Sequence, residues 1–131
     1  MKVRLVADVN APSQARAHVT SQLVASRLPV GALADQMVLI VSELVTNAVQ
    51  AGATAIDLEV RVTARRVDLV VTDDAEGWPT PTRADTDDTT GRGLSIVEQL
   101  ADSWDVASRR RGKVVTASWF VGSGQRSGVD S

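Results

Sequence analysis

At 131 residues the chain has room for one ordinary domain and is too short for two. An apolar fraction of 44% supports a packed core, and an aromatic content of 3% makes that core aliphatic. The net charge of −2 offers no broad cationic field, which excludes a general nucleic-acid binder, and the absence of cysteine excludes a disulfide framework or a thiolate metal site.

The start of the chain carries no secretory apolar region, and no apolar run approaches the ~20 residues needed to cross a bilayer. A soluble, cytoplasmic protein without membrane contact is therefore expected. Residues 3–7 read as a short strand. Asn10-Ala11-Pro12-Ser13 supplies a cap with proline near a helix start, and the helix runs to about Arg27, where Leu28-Pro29-Val30-Gly31 breaks it. From Ala32 to about Ala51, Leu33, Met37, Ile40, Val41, Leu44, Val45 and Ala48 recur at helical spacing, and Gly52 marks the stop. Gln36, Glu43, Asn47 and Gln50 fall within roughly 60° along the edge of that apolar arc, so Glu43 and Asn47 neighbour each other beside the core.

Ile56, Leu58, Val60 and Val62 alternate with polar residues, the pattern of a strand with one covered face. After a turn at Ala64-Arg65-Arg66, residues 67–73 read as the return strand of a hairpin. Val67, Leu69, Val71 and Asp73 share one face of it, which directs Asp73 inward with the buried set. Residues 74–90 read as a mobile loop rich in Asp, Thr and Pro. Gly91-Arg92-Gly93 ends it, and Leu94, Val97, Leu100 and Ala101 mark another helix. Two strands follow, near Ser103–Ser108 and Val114–Val121, joined by Arg109-Arg110-Arg111-Gly112-Lys113, which reads most simply as an exposed hairpin turn. One domain over 1–121 with a disordered tail over 122–131 is expected. The element order predicts an α+β fold: a two-layer sandwich of about five mostly antiparallel strands with about three helices on one face.

Three segments hold residues suited to a magnesium nucleotide. Magnesium takes hard oxygen ligands and keeps several waters, so one protein ligand is enough, and Asn47 fits that role. Glu43, one turn earlier, is placed to align or deprotonate an attacking hydroxyl. The same pair also suits the polar boundary of an amphipathic helix, and both readings stand at this level. Asp73 on an apolar face needs a donor, for which the exocyclic amine of adenine is suitable; a turn-forming Asp is the plainer alternative. Gly77 allows close backbone approach or simply a turn, and Gly91-Arg92-Gly93-Leu94 at a helix start offers a phosphate seat or a flexible hinge.

In order and spacing, Glu43-Leu44-Val45-Thr46-Asn47, Asp73-Asp74-Ala75-Glu76-Gly77 and Gly91-Arg92-Gly93-Leu94 together resemble the Bergerat-fold ATPases of the GHKL superfamily. Ser42 to Val49 followed by Gly91 to Val97 looks like the small actinobacterial anti-sigma-factor serine kinases. The resemblance covers roughly residues 3–121. It implies ATP and Mg as cofactors, Asn47 on the metal, Asp73 on the adenine amine, Gly77 beneath the base, Gly91, Arg92, Gly93 and Leu94 along the phosphates, and Glu43 as the base for a partner serine. It further implies a sigma factor and a STAS-type anti-anti-sigma protein as partners, and a homodimer. Three positions depart from the family pattern: Ala75 stands at the first glycine of Asp-x-Gly-x-Gly, Gln50 and Ala51 fill a basic position, and Val114 replaces a threonine after Gly112-Lys113.

Three functions follow as expectations. The first is an ATP-dependent serine kinase acting as an anti-sigma factor, and the second a catalytically weak module of the same fold whose partner binding responds to nucleotide. The third, the detached catalytic domain of a histidine kinase, fits less well, because His18-Val19 lacks an acidic neighbour and only 13 residues separate Gly77 from Gly91.

Overall fold

Period-2 apolar alternation in the strands and i, i+4 apolar spacing in the helices require a sheet and helices that cover each other's apolar faces. The computed structural model describes residues 2–26, 31–75 and 96–121. In chain order these form β1 (Lys2–Val6), α1 (Ala11–Ser26), α2 (Gly31–Gln50), β2 (Ala55–Val62), β3 (Arg66–Asp73), β4 (Ser103–Ser108) and β5 (Lys113–Phe120), with residues 96–100 also helical. The five strands lie in the order β1-β2-β3-β5-β4, every neighbouring pair antiparallel, and the helices cover one face. The expected α+β architecture is the observed one.

Local chemistry sets the helix ends. The Asp8 carboxylate accepts from the Asn10 N–H at 2.9 Å and the Asn10 carbonyl accepts from the Gln14 N–H at 3.1 Å, which turns the chain from β1 into α1. On α1 the buried residues Ala11, Ala15, Val19 and Leu23 repeat every fourth position and form the inner stripe. Gly52, at φ 94°, ends α2: the Gly52 N–H reaches the Val49 carbonyl at 3.1 Å and the Ala53 N–H reaches Ala48 at 3.0 Å, the two bonds of a Schellman cap.

α2 is the central element of the core, burying Met37, Ile40, Val41, Leu44, Val45 and Ala48. With 20 residues and a mean hydropathy of 1.4 it also has the length and apolarity of a membrane span, contrary to the expectation that no such run exists. Its apolar side faces Ile56 and Leu58 of β2, Leu69 and Val71 of β3 and Val115 and Ala117 of β5, all at most 2% exposed. Val62, expected on the covered face, lies at the sheet's far end and is exposed. Trp119 joins the layers: its indole N–H is shared between Gln36 Oε1 on α2 and the Leu100 carbonyl, each at 3.0 Å.

On the open face Arg4 pairs with Asp57 through two hydrogen bonds of 2.7 and 3.1 Å. Asp68, buried there, accepts from Ser118 Oγ at 2.7 Å and pairs with Arg66 at 3.0 Å.

Candidate functional site

The site is built where α2 ends and β3 ends. Asn47 lies in the last turn of α2, which passes through its Schellman cap directly into β2, and the register pairs Ile56 near the start of β2 with Asp73 at the end of β3. Asp74 fastens this corner: its carboxylate accepts from the Thr54 N–H at 2.7 Å, the Ala55 N–H at 3.3 Å and, through a very short contact, the Thr54 hydroxyl. Hydrogen bonding by the Thr54 hydroxyl, aided by its backbone N–H, holds the Asp74 carboxyl below the usual carboxylate range. Asp74, assigned from sequence to the mobile loop, is thus an anchored residue.

Asn47 is 7% exposed, and among the described residues no hydrogen bond reaches its side-chain amide. A buried side-chain amide requires hydrogen-bond partners, so this position suits a polar group brought to it. Glu43, one turn back and half-buried, borders the same side of α2. Both residues therefore lie beside the core, as the helical spacing required.

Asp73 points to the helix-covered face, as parity required, and is 4% exposed. It does not wait there unpaired. Oδ1 accepts from the Ala75 N–H at 2.9 Å, and Oδ2 accepts from the Lys113 ammonium at 2.6 Å. The side chains of this pair are 3% and 10% exposed, so each neutralises the other away from water.

Lys113 is the functional-site residue that sequence reasoning missed. It was placed in an exposed basic turn, but it is the first residue of β5, lies opposite Asp73 in register and is buried. Lys113, Val115, Ala117 and Trp119 share the covered face, so parity along β5 was the available signal. Lys113 is thus directly opposite Asp73, whereas Val114, opposite Thr72, faces the other side of the sheet. Gly112 makes the approach possible: at φ +94°, a Cβ there would lie 1.8 Å from the Asp73 carbonyl oxygen.

Gly77, Gly91, Arg92, Gly93 and Leu94, the expected base and phosphate contacts, lie outside the described residues, as do Trp78 and most of the loop over 74–90. Among the described residues no cluster of three or more His, Cys, Asp or Glu side chains gathers to hold a metal, and Asn47 is the one among them that would hold magnesium, with nucleotide oxygens completing the shell. Among the described residues the fit to a magnesium nucleotide is thus divided, open at Asn47 and closed at Asp73.

Comparison with known proteins bears on the fold as a whole. The family model described as "Histidine kinase-like ATPase domain" matches residues 5–119. Among solved structures, the chain is similar to the histidine kinase domain of the Erythrobacter litoralis EL346 blue-light activated histidine kinase, at 23% identity and a TM-score of 0.50, over 66% of this chain and 43% of that one. A second structure of the blue-light activated histidine kinase from the same organism matches at 22% identity and a TM-score of 0.50, over 66% of this chain and 32% of that one. The chain therefore spans less than half the length of either, and the likeness is one of fold. A search of curated proteins gives no match.

Proposed function

The chain belongs to the histidine kinase-like ATPase domain family, and on that premise we propose that it is a cytoplasmic, ATP- and magnesium-responsive regulator: an anti-sigma factor that phosphorylates a serine on a STAS-type anti-anti-sigma partner. The observation that carries the nucleotide part is the buried amide of Asn47, which has no hydrogen-bond partner among the described residues, beside Glu43 and at the same end of the fold as the inward-facing Asp73. The Ser42 to Val49 and Gly91 to Val97 segments, which resemble the small serine kinases of that class, support the kinase and partner assignments.

In this reading Asn47 Oδ1 lends one oxygen to the cation, and the bound magnesium supplies charge neutralisation of the phosphates. Glu43 orients the partner's serine hydroxyl and accepts its proton; its half-buried position on the edge of α2 leaves it accessible to a docking chain. Asp73 accepts the base amine at the floor of the site.

Incubation with labelled ATP and purified STAS-type domains tests this. Phosphoserine is expected on the partner, with the rate reduced about a hundredfold or more in Glu43→Ala, the usual weight of a general base. No phosphoserine, or an unchanged rate in that variant, contradicts the kinase assignment.

A second reading is favoured by the Lys113–Asp73 ion pair: a partner-binding module of the same fold that turns over slowly or not at all. It is supported by partner capture that is unaffected by Asn47→Ala, and excluded by steady phosphotransfer.

A further inference from the structure

The carboxylate expected to read the base is already paired by the chain itself. Asp73 Oδ2 receives the Lys113 ammonium at 2.6 Å, Oδ1 receives the Ala75 N–H at 2.9 Å, and the Asp73 side chain is 3% exposed. Three features hold this arrangement. Lys113 and Asp73 are directly opposed in the β3–β5 register. Gly112, where no side chain fits, brings the β4–β5 turn against the Asp73 backbone. The Ala75 methyl is buried in the core, which fixes the backbone that supplies the other hydrogen bond.

Resting on the nucleotide reading above, we propose that Lys113 is the affinity gate of the site: its ammonium sits on Asp73 Oδ2 at 2.6 Å and the Asp73 side chain is 3% exposed, so a purine amine gains access to the carboxylate when the lysine moves aside. The exchange is unfavourable by itself, because a neutral N–H donor replaces a charged one and charge-assisted hydrogen bonds are the stronger. Burial adds to the difference, since a displaced ammonium needs water or another anion. Wild-type protein therefore binds adenine nucleotides weakly. A small hydroxyl at position 113 keeps a donor for Asp73 while leaving space and acceptor capacity for the base.

The test is calorimetric titration with ADP, which needs no catalysis, on wild type, Lys113→Thr and Lys113→Met, each with its thermal midpoint recorded. Lys113→Thr is expected to bind ADP roughly tenfold or more tighter than wild type. A second measurement uses the wild-type protein alone. Lys2 and Lys113 are the only lysines, so acetylation followed by mass spectrometry reads Lys113 against an exposed internal control. Lys113 should be protected without ligand and several-fold more reactive at saturating ADP, with Lys2 unchanged.

Equal or weaker ADP binding by the folded variants, or Lys113 labelling that saturating ADP does not raise, overturns the gate while the nucleotide reading stands. No binding of ADP or ATP by wild type and Lys113→Thr alike, at millimolar concentration, overturns the nucleotide reading and the gate with it.

Discussion

Asp73 shows how far single-residue reasoning reaches. Strand parity alone, through Val67, Leu69 and Val71, placed its carboxylate on the covered face, and the structure has it there at 4% exposure. The identity of its partner was not legible in the same way. A run of four basic residues around a glycine looks like solvated turn, and the strand boundary shifts by one residue, from the Val114 expected to the Lys113 observed. That one residue decides whether the lysine is in water or beside Asp73. Lys113→Met leaves a buried carboxylate with the Ala75 N–H as its one remaining bond among the described residues and should lower unfolding stability by about 3–5 kcal/mol, as loss of one partner of a buried pair does. Adding Asp73→Asn removes the stranded charge and should recover most of that loss. Urea unfolding of the two variants checks both values, and a single variant within about 1 kcal/mol of wild type is inconsistent with a tight buried pair.

Two glycines separate the elements by what they tolerate. Both Gly52 and Gly112 have φ of 94°, but a Cβ at Gly52 meets nothing within 4 Å, whereas at Gly112 it would lie 1.8 Å from the Asp73 carbonyl oxygen. Gly52→Ala should therefore cost about 1–2 kcal/mol, the strain of a left-handed L-residue ending α2. Gly112→Ala adds a backbone collision to the same strain and should cost about 3 kcal/mol or more, displacing the β4–β5 turn and Lys113 with it. Equal losses in thermal or urea unfolding would contradict the close approach. The stop after α2 was legible because glycine follows the last apolar residue of a long helical pattern. The role of Gly112 was not, because close packing between the β4–β5 turn and the end of β3 is a tertiary relation with no local sign.

For the whole molecule, the layer arrangement was readable because the pattern changes period from helix to strand at each boundary. The order β1-β2-β3-β5-β4, with β5 between β3 and β4, depends on tertiary pairing that patterning does not fix. Two carboxylates near the same end of the β2–β3 pair give the molecule an acid limit. A hydrogen bond from Arg4 lowers the Asp57 pKa, and hydrogen bonds from Thr54 lower that of Asp74. Groups with folded values below the unfolded one, near 4, contribute their full stability above that pH and lose it as pH falls through the folded values. The urea midpoint should accordingly hold from pH 7 to about 5 and fall below about pH 4, with a shallower fall in Asp74→Asn. An unchanged slope in that variant would remove Asp74 from the explanation. Both groups lie near the surface, so the effect is modest and reduced by salt.

The central claim is that the α2–β3 corner is a nucleotide site with Asn47 on its cation. Calorimetry of ATP with and without magnesium, on wild type, Lys113→Thr and each combined with Asn47→Ala, tests it most directly. Magnesium should strengthen binding wherever Asn47 is present, most visibly in Lys113→Thr, and should make no difference once Asn47 is alanine. Undiminished magnesium dependence without Asn47, or no binding in any of the four proteins, would contradict it.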